Sequence, residues 1–463
     1  MTTTRRVIDV EEKVPLLQGI PLSLQHLFAM FGASILVPIL FNGAAGTQVI
    51  DPALVLLMNG IGTLIYLFVC RGKAPAFLGS SFAFLSPTFS LLAAQGVDPH
   101  VSFARAAGGF VVAGLAFILV SLIIRFAGRK WISVVLPPAA MGPIVALIGL
   151  ELAHVATEMS FYVRNPVTNA LEPSGQATLI SLFTLGVVIV GSIVFRRFLA
   201  AIPVLIGVLA GYVLAVGLGA VDFKAVQNAS FLTFPKPVMP EFDWASILIV
   251  LPAALVVISE HIGHLFVTSN IVGRNLLKNP GLHNSLLGDG LSTTLSGFTG
   301  SCPTTTYGEN MGVMAITKVY SVWVIGGAAV ISIALAFFGQ VRGAIATLPV
   351  PVIGGISMML FGVIAASGLR MLIEARVDYS KSRNLMLSAV VLVVGIAPNV
   401  VIPIGKAQLK GMVLATLVGM VLSLVIFVME RLGITNEPPE PLTDGLEEAH
   451  EASTGNTSAA PQV

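Results

Sequence analysis

The 463-residue chain is 55% hydrophobic and only 10% charged, with a mean hydropathy of +0.91, whereas an ordinary soluble domain carries roughly 25% charged residues. A soluble globular domain is therefore excluded, and a net charge of +2 with no sustained basic run gives no nucleic-acid partner. Cys70 and Cys302 lack disulfide or metal-ligand spacing, so neither a redox role nor a bound metal follows from them.

In chain order, the polar N-terminal stretch TTTRRVIDVEEK has no short apolar core followed by a cleavage site, so the first span is expected to direct its own insertion. Crossing about 30 Å of hydrocarbon takes about 20 apolar helical residues. Stretches of that kind, punctuated by Gly, Pro and charge, are predicted near 23–42, 53–70, 77–94, 104–124, 133–154, 177–195 and 199–220. A second set follows near 244–267, 284–300, 303–317, 321–339, 345–369, 384–401 and 408–430. The expected fold is thus an all-α polytopic membrane protein with 14 transmembrane segments. The tail over 431–463 is polar, acidic and Pro-rich, which predicts disorder.

If the N-terminus is cytoplasmic, the inner segments hold eighteen of the 25 Lys and Arg residues, among them Arg71, Lys73, Arg125, Arg129, Lys130, Arg196, Arg274 and Arg383. The outer segments hold Arg105, Arg164, Lys224, Lys236, Arg342, Lys406 and Lys410. The asymmetry follows the positive-inside rule, and an even span count returns the C-terminus to the cytoplasm.

Seven spans precede the Val221–Asp243 loop and seven follow it. LPPAAMGPIVALIGLEL (136–152) and LPVPVIGGISMMLFGVIA (348–365) share Pro138 with Pro351, Gly142 with Gly355, Leu147 with Leu360 and Gly149 with Gly362; Gln25-His26 weakly echoes Glu260-His261. With an odd number of spans per half, such a repeat must be inverted in the membrane, a 7+7 plan found in secondary transporters. The third span of each half, APAFLGSSFAFLSP (74–87) and GSCPTTTYGENMGVMAIT (300–317), is short and rich in Gly, Ser, Thr and Pro. Broken backbone at membrane depth is tolerated only inside protein or along a cavity, so this pair of segments marks the expected binding site.

Ionisable residues cluster nearby. Glu260 and His264 are four apart and share a helix face, whereas His261 points about 100° away. An unpaired carboxylate in hydrocarbon costs several kcal/mol, so intramembrane acids usually face a functional interior. Glu309, in TYGENMG, stands just past the broken segment of the tenth span, one helix removed from Glu260. Two carboxylates in one dry pocket perturb each other in a way that suits proton uptake and release. Each of these groups also has a structural alternative: an interhelical hydrogen-bond network for Glu260, His261 and His264, and a helix cap for Glu309. Gln25 and His26 serve either ligand contact or packing against the broken segments, Asn59 and Asn310 can bond freed backbone groups, and Phe82 and Phe84 can stack on a planar ring. Glu151 and His154 are expected on a solvated outer rim.

At these residues the chain resembles the nucleobase–ascorbate transporter family, the nucleobase:cation symporters of the second class, and within it the uracil-carrying branch. The resemblance rests on LQHLFAMFGASILVP (24–38), FLGSSFAFLSP (77–87), LPPAAMGPIVALIGLELA (136–153), SEHIGHL (259–265) and TTYGENMGVMAITKVYS (305–321), and on the signature residues Asn310, Gly312, Thr317 and Lys318. It covers residues from about 15 to 430. His264 and Glu309 stand where purine-type members usually carry an acidic residue and Gln. The resemblance implies short strands in broken segments 3 and 10, and a core domain (23–130 and 244–340) moving against a gate domain (131–243 and 341–430). Residues 1–22 and 431–463 would be cytoplasmic. It also implies a homodimer and no cofactor beyond protons as coupling ion. Glu260 and Glu309 would accept hydrogen bonds from ring N–H groups of uracil or a similar pyrimidine, and the backbone N–H groups of Phe82 and Gly308 would donate to ring carbonyls. Tyr307 and Phe361 complete the implied contact set, with Phe361 in place of a tyrosine of that branch. Glu260 and His264 would couple protons, with Gln25, His26, Ser81, Asn310 and Thr317 in support.

The reading is a proton-coupled importer of the cytoplasmic membrane, working by alternating access. Rivals are a carrier of the same plan for xanthine, urate or an anion, a passive channel, and an intramembrane metal enzyme. EHIGH lacks the His-Glu-x-x-His order that puts two ligands and a base on one face.

Overall fold

The computed structural model describes residues 7–165, 168, 170–196, 198–404 and 407–437. Of the tail over 431–463, expected to be disordered, residues 431–437 are described and Glu437 accepts from Ser382 N–H at 2.6 Å, whereas the rest lies outside the described residues, as do Arg5, Arg6, Arg197 and Lys406. The first half of the chain forms α1 (Leu16–Ala45), α2 (Pro52–Val69), β1 (Leu78–Ser80), α3 (Leu85–Leu92), α4 (Pro99–Ala127), α5 (Lys130–Val135), α6 (Pro138–Glu151) and α7 (Ala153–Phe161). The hairpin β2 (Tyr162–Arg164) and β3 (Leu171–Pro173) follows, then α8 (Gly175–Val194), α9 (Pro203–Gly217) and α10 (Lys224–Gln227). The second half forms α11 (Trp244–Val272), α12 (Leu282–Thr299), β4 (Thr304–Thr306), α13 (Gly308–Thr317), α14 (Val322–Ala336), α15 (Gly339–Ala346), α16 (Val350–Glu374) and α17 (Ser382–Ile396). It closes with β5 (Val401–Ile404), β6 (Ala407–Lys410) and α18 (Gly411–Arg431).

Among the described residues, eight helical stretches are long and apolar enough to cross a membrane, and four shorter apolar helices accompany them. Local chemistry sets their ends. The Asp51 side chain accepts from Ala53 N–H ahead of α2, Asp98 from His100 N–H ahead of α4 and Asp243 from Ser246 N–H ahead of α11, each satisfying a backbone donor that the first helical turn leaves free. Large apolar side chains such as Phe68, Phe126, Ile193 and Ile373 are at least three-quarters exposed on outer helix faces, where lipid replaces water.

Two expectations need correction. Strands were expected only in the broken segments, but β2–β3 and β5–β6 are further two-stranded hairpins. Some predicted spans are also subdivided: Pro137 and Pro138 separate α5 from α6, and Pro349 lies between α15 and α16, because proline lacks the amide a continuing helix needs. The N-terminal segment is not free. Ile8 N–H donates to Lys318 O at 3.0 Å, Tyr320 N–H donates to Ile8 O at 2.8 Å, and Arg274 pairs with Asp9 at 2.6 Å.

Helix packing recurs in matched couples. α4 lies on α12 as α14 lies on α2, and α11 lies on α4 as α1 lies on α14. Small residues allow this closeness: a Cβ on Gly297 of α12 would fall 2.6 Å from the backbone N of Val111 in α4, and one on Gly290 would fall 2.9 Å from the Cβ of Phe117. Without a hydrophobic driving force between helices in lipid, close backbone approach of this kind supplies the packing energy. Gly297→Leu is therefore expected to cost at least the ~1–3 kcal/mol of overpacking, seen as a lower melting temperature in detergent, whereas Gly312→Ala, whose Cβ meets open space, should melt near wild type.

Candidate functional site

The two broken segments pair with each other. β1 and β4 run antiparallel with Leu78 opposite Thr306, Gly79 opposite Thr305 and Ser80 opposite Thr304. Ser81 N–H donates to Pro303 O at 2.8 Å and Tyr307 N–H to Phe77 O at 3.2 Å, extending the ribbon at both ends. Thr63 Oγ1 on α2 takes the N–H of Leu78 at 2.9 Å. The ribbon thereby satisfies backbone groups that lipid could not. A helical turn at Phe82–Phe84 leads from β1 into α3, and α13 starts at Gly308 directly after β4. Because the strands are antiparallel, the two short helices leave in opposite directions, and their N-termini, with unpaired N–H groups and positive dipole ends, flank the same ribbon.

Side chains from several elements converge here. His264 on α11 donates from Nδ1 to Thr306 O at 2.7 Å and lies 3.1 Å from Thr306 Oγ1, which turns Nε2 towards the start of α13. A Cβ on Gly308 would lie 3.8 Å from that Nε2. Glu260, one turn earlier on the same face, has a buried Oε2 without a hydrogen-bond partner. The carboxylates of Asp289 and Glu309 lie within its Coulombic reach. The Phe82 ring meets the Phe361 ring edge to face, 5.8 Å apart at 82°. Tyr307 OH donates to Ser80 O at 3.0 Å, its ring lying where a Cβ on Gly79 would be. Ser81 Oγ is buried without a partner. A cavity adjoins these groups on the α13 side, walled by Tyr66, Ala76, His264, Thr268, Asn310 and Met311, and Glu260 and Glu309 stand outside its wall.

Not every candidate joins this cluster. His26 Nδ1 meets Asn310 Oδ1 at 2.7 Å, tying α1 to α13. Gln25 turns away, its Nε2 reaching Phe198 O at 3.5 Å. Thr317 lies at the far end of α13, where its hydroxyl donates to Val313 O of its own helix. Asn59 is fully buried with neither amide atom bonded. His261 leaves the shared face and enters a separate polar network: Nδ1 lies 2.9 Å from Asp289 Oδ2 and Nε2 lies 2.8 Å from Ser285 Oγ, which Tyr66 OH reaches at 2.7 Å. The two imidazoles of EHIGH therefore do not converge on one point. Asp289, with Thr304 and Ser285, is the group the sequence reading missed. Its signal was present, as the one carboxylate between Glu260 and Glu309. Glu151, expected on a solvated rim, is instead bonded to Ser86 Oγ at 2.5 Å and to Met412 N–H at 2.8 Å.

The family model Xan_ur_permease, described as a permease family, matches residues 17–404. The chain belongs to this permease family. It is a transporter of the membrane and not an enzyme. The uracil permease of Escherichia coli K12 is 54% identical over 429 residues, covering 93% of this chain and 96% of that protein. The uracil permease of Paenibacillus larvae is 52% identical, covering 93% and 99%, and that of Bacillus subtilis is 43% identical, covering 87% and 91%. Among solved structures, the transmembrane domain of the cyanobacterial bicarbonate transporter BicA aligns with a TM-score of 0.60 at 15% identity, covering 90% of this chain and all of that one. The murine anion transporter Slc26a9 aligns at 0.65 and 12% identity, covering 90% and 69%. At those identities the likeness speaks for the fold alone.

Within the permease, removing His261 would leave Asp289 buried without its imidazole. Leaving a buried carboxyl oxygen without its hydrogen-bond partner in this way costs about 1–3 kcal/mol. His261→Ala is thus expected to lower the melting temperature of the substrate-free protein by more than His264→Ala, whose partner Thr306 O keeps its ribbon position; equal melting of the two variants would contradict this.

Proposed function

We propose that this permease carries uracil into the cell across the cytoplasmic membrane in symport with protons. The observation that carries the reading is the unpartnered carboxylate oxygen of Glu260, set beside Glu309 and the N-termini of two short helices. Uracil is neutral and flat, with two N–H donors and two carbonyl acceptors. Two carboxylate acceptors and two sets of backbone donors complement it, and the Phe82 and Phe361 rings offer a stacking wall. The names of the relatives at 43–54% identity support the same cargo.

In this reading the chain has 14 transmembrane segments in a 7+7 inverted repeat, with which the matched packing couples agree. Spans 1–4 and 8–11 form a core that carries Phe82, Glu260, His264 and Glu309, and spans 5–7 and 12–14 form a gate that carries Phe361. The core moves against the gate to expose the site alternately to each side. Both termini are cytoplasmic, and the working unit is a homodimer. Glu260 and His264 exchange the coupled proton, with His26, Asn310 and Tyr307 holding the broken segments in register around them. No cofactor besides the proton takes part.

A second reading, carriage of an anion, is favoured by the anion-transporting fold neighbours and by the paired helix N-termini. Two carboxylates at the site oppose it.

Labelled uracil should accumulate in proteoliposomes under an inward-acid pH gradient, and a protonophore should abolish the accumulation. Glu260→Ala and Glu309→Ala should each abolish it too. Methylating one ring nitrogen leaves a buried acceptor unpaired, at about 1–3 kcal/mol, so 1-methyluracil and 3-methyluracil should each compete about tenfold less well or worse than uracil. Undiminished uptake by either alanine variant, or gradient-driven bicarbonate uptake without uracil uptake, would overturn the proposal.

A further inference from the structure

Beside the site lies a contact that the transport reading does not use. Glu151 ends α6 and accepts two hydrogen bonds: Oε1 from Ser86 Oγ on α3 at 2.5 Å, and Oε2 from Met412 N–H in the first turn of α18 at 2.8 Å. Its carboxyl group fills the space a Cβ on Gly411 would need, and Gly411 also has φ +62°, so that position calls for glycine on two counts. Ser86 is only 8% exposed. It lies in the first turn of α3, four residues after Phe82 and farther from the ribbon.

Phe82, in the turn before α3, also meets the gate, through Phe361 of α16. Gly149, two residues before Glu151, is what lets the carbonyl of Phe361 approach α6. The Phe82 turn thus meets α16 through a ring contact, and α3 directly after it meets α6 and α18 through one carboxylate. All of this lies on the side towards which α3 leaves the ribbon. The cavity lies on the opposite side, bordered by Asn310 and Met311 of α13. Hydrogen bonds to a carboxylate are about twice as strong as neutral ones, which suits a bond that must hold the closed side and still part in each cycle.

We propose that Glu151 is the outer staple of this permease, and that release of Ser86 from it is a required step in exposing the site to the outside. The staple rests on the core-and-gate reading above. Glu151 stays with the gate as the cap of α18, while Ser86 departs with α3, so the half-helix that offers the Phe82 N–H moves only when this bond breaks.

Ser86→Ala removes the cross-domain bond and leaves the Met412 cap, whereas Ser86→Thr keeps a hydroxyl. Hydrogen–deuterium exchange of the full chain in nanodiscs, without substrate, should show the amides of 85–92 exchanging about tenfold faster in Ser86→Ala, the factor that loss of one charge-assisted bond implies, with Ser86→Thr near wild type and α13 unchanged in both. As a second measurement, a short bis-thiosulfonate bridging Ser86→Cys and Glu151→Cys should stop transport, and reductant should restore it; Cys70 and Cys302 are fully buried and do not compete for the reagent. Unchanged exchange at 85–92 in Ser86→Ala, or full transport by the bridged pair, would overturn the staple. Since the exchange is read without cargo, it stands or falls apart from the identity of the substrate.

Discussion

Backbone amides at membrane depth have no water to turn to, and here the six residues of β1 and β4 answer one another across a three-rung ladder. Everything at the site hangs from that ladder. It lets two helices begin in the middle of the protein, where helices normally cannot begin without leaving several N–H groups stranded. In the proposed reading those stranded groups are the donors offered to the cargo. The surrounding side chains keep the ladder in place: Thr63 takes the N–H of Leu78, Thr293 donates to the carbonyl of Thr304, and Tyr307 reaches back to Ser80. Thr304 also bonds Ser292 at 2.8 Å, joining the ladder to α12.

Much of this was legible in the residues. The Gly-, Ser- and Thr-rich stretches at 74–87 and 300–317 are too short and too poor in helix formers to span as ordinary helices, and they proved to be the two halves of the ribbon. Spacing placed Glu260 and His264 on one face and turned His261 off it, as the coordinates have it. Asp289 stayed hidden because a single acid in a helix gives no spacing to read, and its partners His261 and Thr304 come from α11 and β4, which only the fold brings together. Glu151 was misjudged for a related reason. Its position near the end of a span suggests water, but Ser86 and Met412, distant in sequence, bond it and leave it half-buried. Proline breaks subdivided the spans more finely than hydropathy could, and the outer hairpins are too short to leave a period-two pattern.

The fold neighbours carry anions on what is, in outline, the same scaffold. Helix N-termini that meet at a ribbon favour negative charge by themselves. In the reading proposed above, Glu260 and Glu309 occupy that favourable field, so a further anion would face repulsion while a neutral donor-rich ring would not. The scaffold supplies positive potential, and the side chains decide whether a ligand or the protein's own carboxylates consume it.

Leu78 and its partner Thr306 are separated by more than 200 residues of chain. During synthesis the first broken segment must therefore enter the bilayer long before its complement exists, with a row of amides and carbonyls open to whatever strand comes near. The amino-terminal half is an unfinished object until β4 arrives. Truncation anywhere ahead of Thr304 would yield no smaller working version, only a polypeptide marked for quality control.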